Sequence, residues 1–198
     1  MLKKLKQKVQ KLLSSEANVA HRIGFTPNIV TVIGFALSFF AAGAYAFVSQ
    51  NQPLFLITAV ILLMSSGFCD TLDGILARTY QQASSFGGFL DSLLDRYADA
   101  LMFIGIIVSG ACNLLAGFAA LASSLMVSYS RARGEAAGVK MESIGIAERP
   151  ERILIVAASS LAAIFWFPAL NLGVIIVAIL ATFTVLQRGV HVFKQLKK

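Results

Sequence analysis

The sequence predicts an all-α integral membrane protein, six transmembrane helices preceded by an amphipathic interfacial helix, forming one domain over residues 1–198. Three observations carry this expectation. The chain is 57% hydrophobic and only 14% charged, with a mean hydropathy of +0.76, a balance that soluble domains do not show. Six apolar segments recur, each near the roughly 20 residues that cross a hydrocarbon core. Basic residues gather at the connections expected on one side of the bilayer, as the positive-inside rule requires.

The elements follow in order. Residues 1–20 are expected to lie on the membrane surface. From Leu2 to Leu13, Lys3, Lys4, Lys6, Lys8 and Lys11 alternate with Leu2, Leu5, Val9, Leu12 and Leu13 at helical spacing, the pattern of a helix on anionic lipid. Its apolar core is too short for a secretory signal, and no cleavage site follows. The spans are expected at Ile29–Val48, Leu54–Arg78, Phe86–Ser109, Leu114–Ser130, Arg152–Phe167 and Leu170–Phe193, the fifth being short. Ser49–Pro53, Gly110–Asn113 and the surroundings of Pro168 hold no Lys or Arg and are assigned to the outer side. The N-terminal helix, Arg78–Arg96, Arg131–Arg152 and Lys194–Lys198 carry positive charge, which places both termini in the cytoplasm. Anionic headgroups account for the net charge of +7, so membrane lipids are the expected partner and nucleic acid is not.

Into this apolar chain are set Asp70, Asp73, Asp91, Asp95 and Asp99. A mid-span carboxylate costs about 2.5–3.5 kcal/mol on insertion scales, so four or five of them would oppose insertion by roughly 10 kcal/mol or more. Arg78 and Arg96 alone lie close in sequence. The shortage of positive charge points to a bound divalent cation. Residues three and four apart share a helix face. Asp70, Asp73, Gly74, Ala77 and Arg78 therefore project to one side at the end of the second span, and Asp91, Asp95 and Asp99 form a stripe at the start of the third. Packed antiparallel across the Thr79–Ser85 turn, the stripes would meet as an oxygen-lined pocket for Mg²⁺, Mn²⁺ or Ca²⁺. Gly74, Ala77 and Gly87 remove bulk and leave room for a flat or bulky ligand group. A second reading stands beside this one: a proton or ion pathway, as in a cation-coupled transporter, or structural ion pairs with Arg78 and Arg96. Against a transporter, the acids lie toward one face, no polar path leads outward, and no internal repeat is visible.

The spacing from Asp70 to Asp95 resembles the signature of the CDP-alcohol phosphotransferase family, D-x2-D-G-x2-A-R-x8-G-x3-D-x3-D, with every fixed position matched. Thr26, Pro27, Asn28 and Thr31 are similar to the family's entry into its first span. The resemblance implies a six-span enzyme, commonly homodimeric, with its site facing the cytoplasm. Asp70, Asp73, Asp91 and Asp95 would surround a centre of two Mg²⁺ ions, with Mn²⁺ as the alternative, the first three being the main ligands. Asp95 would take the proton from an acceptor hydroxyl. A CDP-linked lipid, of diacylglycerol or archaeol type, would contact Pro27, Asn28, Thr31, Asp73, Gly74, Ala77, Arg78 and Gly87, with the small residues against cytidine and Arg78 on phosphate. Asp99 lies outside the signature and is expected to support its neighbours.

The Arg131–Arg152 region bears on the acceptor alcohol. Serine or choline would not call for several arginines, whereas a phosphorylated polyol would, because a guanidinium offers a phosphate two donors at once. The plainer reading is topology: basic residues at loop ends snorkel to headgroups, and Glu148 and Arg152 are spaced to pair on a helix surface, with Pro150 in its first turn. The run Tyr129-Ser-Arg-Ala-Arg-Gly-Glu135, then Gly138 and Ile146-Ala-Glu-Arg-Pro-Glu-Arg152, is similar to the inositol-phosphate branch of the family. Arg131 stands where a Lys is usual in that branch, and Gly134 where Ala is. The resemblance implies inositol 1-phosphate as acceptor, held by Arg131, Arg133, Arg149 and Arg152, with glycerol 3-phosphate as the nearest alternative.

The remaining chemistry reads as structural. Cys69 and Cys112 lack metal-ligand spacing and are expected as small core residues. His21 and His191 lie near interfaces, Trp166 and Phe167 suit an aromatic belt, and Gly134–Gly138 fits a close helix contact. There is no Gly-rich nucleotide loop.

Overall fold

The computed structural model describes residues 14–49, 53–142 and 144–197. Among them are seven α-helices: α1 (Ser14–Arg22), α2 (Pro27–Ala46), α3 (Pro53–Thr79), α4 (Ser85–Val108), α5 (Leu114–Ala136), α6 (Arg149–Ala163) and α7 (Pro168–Leu196). The amphipathic stretch expected at Leu2–Leu13 lies outside the described residues.

α2, α3, α5 and α7 are long and apolar enough to cross a membrane. α4 has the length, 24 residues, but Asp91, Asp95, Arg96 and Asp99 lower its hydropathy. α6 has 15 residues, about 22 Å of helix against a core of about 30 Å. Phe39 and Phe40 on α2, Ile61 on α3, Phe118 on α5 and Ile179 and Leu186 on α7 are exposed on the outside of the bundle, as lipid-facing side chains are.

Small residues bring the helices together where lipid leaves no hydrophobic gain to drive them. Ala41 and Ala44 on α2, Ala59 on α3, Ala120 on α5 and Ala178 on α7 are buried in one core with Tyr45, Phe103, Ile106, Val156, Leu170 and Val174. Two hydroxyl pairs tie α2 to its neighbours: Ser38 Oγ with Ser66 Oγ at 2.6 Å, and the Tyr45 hydroxyl with Ser160 Oγ at 2.9 Å. α2 packs against both α3 and α4, whereas α3 and α4 make at most marginal backbone contact with each other. The expected side-by-side hairpin is thus opened into a cleft, with α2 as the common neighbour. Two acidic faces gain nothing by closing on each other.

Local chemistry sets the helix ends around that cleft. Thr26 caps α2, its Oγ1 accepting from Ile29 N–H at 3.4 Å, and Pro27 occupies the first turn, where its missing N–H costs nothing. Ser84 caps α4 through Gly87 N–H at 2.9 Å. Between α3 and α4, Gln81 adopts φ 55°, a left-handed residue closing α3, with Gln82 N–H bonded to the Ala77 carbonyl at 3.0 Å. α1 rests on this corner. Ala17 and Ala20 pack with Val30, Leu72, Ile75 and Leu76, the His21 ring stacks on Tyr80 at 3.7 Å, and the Tyr80 hydroxyl donates to Asn18 Oδ1 at 3.1 Å.

Two boundaries differ from expectation. α5 runs to Ala136, six residues past the expected Ser130, because Arg131, Ala132, Arg133 and Glu135 continue it and Arg131 Nε pairs with Glu135 Oε1 at 2.9 Å. Gly138, at φ +79°, ends it, with Val139 N–H on the Gly134 carbonyl, so the small-residue run serves as a helix stop. α6 begins at Arg149, three residues ahead of the apolar span expected from Arg152, with Pro150 in its first turn as its chemistry suggested. In the α4–α5 connection, Cys112 is half-buried, and burial pushes its thiol pKa up, which keeps it protonated and inert.

Candidate active site

One turn of helix places Asp70 and Asp73 on α3 and another places Asp91 and Asp95 on α4, and the cleft lets them converge. Asp70, Asp91 and Asp95 each present a carboxylate oxygen within 4.8 Å of the other two. Asp91 Oδ1 is buried without a hydrogen-bond partner. Three converging carboxylates, one with an unpartnered oxygen, form a hard all-oxygen donor set, so these residues fit a Mg²⁺- or Mn²⁺-type ion. Asp73 stands beside the trio. It is buried, and its Oδ2 accepts from the Thr31 hydroxyl at 2.6 Å.

Arginines from the far end of the sequence meet this cluster. Arg149, at the head of α6, lays Nη1 2.9 Å from Asp70 Oδ1 and 2.7 Å from Asp95 Oδ1, and Nε 3.4 Å from Asp99 Oδ1. The Nη1 approaches are charge contacts without hydrogen-bond alignment. Arg152, one turn on, is 1% exposed. Its Nη2 donates to Asp99 Oδ2 at 2.5 Å and its Nη1 to the Ala147 carbonyl at 3.0 Å, while Nε has no partner. Asp99 is therefore the anchor of both arginines. Arg96 turns back on its own helix, donating to the Ser92 carbonyl at 2.5 Å.

Two cavities flank the carboxylates. The first, about 240 Å³, is lined by Pro27, Asn28, Thr31, Asp73, Gly74, Ala77, Arg78, Gly87 and Asp91, with the α3–α4 corner as its floor. All eight positions expected to contact a CDP-linked lipid line this one space. Gly87 is the tighter of its two glycines: a Cβ there would stand 2.8 Å from Asn28 Oδ1 and 3.0 Å from Ser84 Oγ, so both side chains would have to shift, whereas one on Gly74 would stand 3.3 Å from Arg78 Nη1, the end of a flexible side chain that can give. The second, about 140 Å³, is walled by Arg96, Arg131, Arg149, Arg152 and Arg188 around Asp95, Asp99, Val127 and Glu148. Asp91 joins the trio to the first cavity, and Asp95 and Arg149 join it to the second.

Three of the four arginines expected to bind acceptor phosphate meet in the second cavity. Arg133 does not line it and is exposed. Two residues from Arg131 on the same helix, it is turned about 200° away. Arg188 was missed. It lies 2% exposed near the end of α7, where its Nε donates to the Ile144 carbonyl at 2.8 Å, its Nη1 to the Val127 carbonyl, and its Nη2 to Glu148 Oε1 at 3.2 Å. An arginine inside the apolar span expected at Leu170–Phe193 was the available signal.

A family model described as CDP-alcohol phosphatidyltransferase matches residues 25–191. The chain is 44% identical over 182 residues to archaetidylinositol phosphate synthase of Methanothermobacter thermautotrophicus, covering 90% of this chain and 89% of that one. It is 43% identical over 197 residues to the archaetidylinositol phosphate synthase of Pyrococcus horikoshii, with 100% and 99% covered. Among solved structures, Mycobacterium tuberculosis phosphatidylinositol phosphate synthase with CDP-DAG bound aligns with a TM-score of 0.77 at 30% identity, covering 92% of this chain and 94% of that one. The same mycobacterial protein in complex with manganese and citrate gives a TM-score of 0.77 at 30% identity, covering 91% and 88%.

Proposed function

This chain belongs to the CDP-alcohol phosphatidyltransferase family, and from that premise we propose that it transfers the phosphatidyl-type group of a CDP-linked lipid to inositol 1-phosphate and releases CMP. The observation that carries this reading is the layout of the site: a carboxylate trio between a cavity walled by small residues and a cleft walled by arginines. An enzyme that joins a nucleotide-linked donor to an anionic acceptor needs those three spaces side by side. The relatives named above support the lipid class and the acceptor, and the manganese complex of the mycobacterial protein supports a divalent ion at the acids.

The donor's cytidine occupies the first cavity, against Gly74, Ala77 and Gly87, with Pro27, Asn28 and Thr31 as the opposite wall and Arg78 at the phosphate edge. Asp70, Asp73 and Asp91, with Asp95, hold two divalent cations, Mg²⁺ or Mn²⁺, which supply positive charge for the diphosphate and the departing CMP. Asp95 borders both the trio and the arginine cleft, and it accepts the proton of the acceptor hydroxyl. That oxygen forms its bond to the lipid-bearing phosphorus as the bond to CMP breaks. Arg131 and Arg149 grip the acceptor's phosphate. Arg152 offers its free Nε, and Arg188 fixes the cleft wall through the Val127 and Ile144 carbonyls.

The architecture we propose is a single domain with six spans, α2 through α7, cytoplasmic termini and site, and a homodimeric assembly. α4 is tolerated as a span because its charges face the site and each other.

CMP release by the purified protein with CDP-lipid and Mg²⁺ tests the reading across inositol 1-phosphate, glycerol 3-phosphate, free inositol and serine. Release confined to inositol 1-phosphate is expected. Release with glycerol 3-phosphate instead would keep the donor site and reject the acceptor.

A further inference from the structure

Asp70 and Asp95, which the proposed function gives to cations, are already engaged by a side chain of this chain. Arg149 touches both through Nη1, at 2.9 Å and 2.7 Å. The same side chain borders the carboxylate pocket on one side and the arginine cleft on the other. A guanidinium and a divalent cation sharing two carboxylates would stand within about 4 Å of each other, and in a half-buried site that repulsion is weakly screened. One of the two must leave.

We propose that Arg149 is a displaceable counter-ion. A divalent cation entering among Asp70, Asp91 and Asp95 drives its guanidinium off the carboxylates and into the adjoining cleft, where it becomes a ligand for the acceptor's phosphate. This inference rests on reading the trio as a metal site and the cleft as a phosphate site.

The geometry gives Arg149 this part and denies it to the other arginines. Its contacts with Asp70 and Asp95 are unaligned charge contacts, and it starts α6 directly after the 144–148 segment, so the long side chain can swing without the helix moving. Arg152 is locked by Asp99 and the Ala147 carbonyl. Arg188 is locked by the carbonyls of Ile144 and Val127. Asp99 Oδ1, 3.4 Å from Arg149 Nε, lines the arginine cleft and serves as the pivot of this movement.

Two consequences follow. Arg149 competes with the cation and weakens its intrinsic binding. An anion that holds the guanidinium in the cleft removes the competitor, so metal and phosphate bind with positive and reciprocal coupling.

The test measures free Mn²⁺ by electron paramagnetic resonance during titration of the full-length protein, with and without inorganic phosphate, for wild type and Arg149→Gln. The expected result is that phosphate tightens Mn²⁺ binding to wild type about 5-fold or more, the lower end of usual site-to-site couplings. Arg149→Gln should bind Mn²⁺ tighter than wild type by a similar factor when phosphate is absent, and phosphate should no longer change that affinity. A variant that binds Mn²⁺ no tighter, or one that keeps the coupling, overturns the proposal while leaving the metal site standing. If the variant does not fold, wild type decides alone: Mn²⁺ affinity indifferent to phosphate overturns it. Wild type that binds no Mn²⁺ overturns the metal reading itself, and the two failures are thereby told apart.

Discussion

Asp99→Ala tests what the buried Asp99–Arg152 ion pair contributes, together with the longer Arg149 Nε contact that Asp99 also holds. In wild type, the Arg152 guanidinium is 1% exposed and its charge is met by Asp99 Oδ2 at 2.5 Å. Without Asp99, Nη1 keeps the Ala147 carbonyl, but Nη2 loses its carboxylate and joins Nε, which already lacks a partner. Removing one member of such a pair costs about 3–5 kcal/mol, because an uncompensated charge stays buried. That is a large share of a total stability of about 5–15 kcal/mol. At about 2–4 °C per kcal/mol for a chain of this size, the thermal midpoint should fall by on the order of 10 °C. The assay is thermal unfolding in detergent, followed by helical circular dichroism. Replacing both partners, Asp99→Leu with Arg152→Met, should recover most of the loss, since an apolar pair of similar volume is close to neutral against a buried ion pair. A single variant melting within a degree or two of wild type would refute the burial argument. A double variant as unstable as the single would show that the pair does more than cancel charge.

Three further outcomes test the site. Asp95→Asn should lower kcat at saturating Mg²⁺ and CDP-lipid by about 10²–10⁴, the usual worth of a positioned base; near-normal turnover under those conditions would remove Asp95 from that role. Gly87→Ala, whose Cβ would press on Asn28 Oδ1 at 2.8 Å, should raise the KM for CDP-lipid about 10-fold, equivalent to about 1.4 kcal/mol of overpacking, and leave the acceptor's KM alone. An unchanged lipid KM would place the nucleotide elsewhere. Thr31→Val keeps the shape but leaves Asp73 Oδ2 without its donor, costing about 1–3 kcal/mol, and a melting curve identical to wild type would show that this hydrogen bond is not needed.

The acidic stripes were legible because intervals of three and four residues write one helix face directly into the sequence, and Asp70, Asp91 and Asp95 do converge. The start of α2 came from the resemblance and not from a spacing rule: Thr26 and Pro27 matched the family's entry into its first span, and they form the N-cap and first turn of α2. Helix neighbours were not legible. Nothing local to α3 or α4 reveals that α2 packs on both and holds them apart. Hydropathy marked where α5 stops being apolar, not where it stops being helical, so its last turns, carrying Arg131 and Arg133, read as loop. That misreading hid the opposite directions in which the two arginines point. Asp99 and Arg152 pair across 53 residues of sequence, a relation that no spacing rule expresses. Arg188 shows the same limit: its partners come from α5 and the 144–148 segment, far from it along the chain.

Arginines beside the carboxylates should select an acceptor that already carries a phosphate. Mass spectrometry of the lipid formed in one reaction containing CDP-lipid, Mg²⁺ and equal concentrations of inositol 1-phosphate, glycerol 3-phosphate and free inositol addresses it most directly. One product is expected, a lipid whose headgroup is inositol bearing its own phosphate in addition to the bridging one. A product built from free inositol would contradict it, because the arginine cleft would then have no anion to hold.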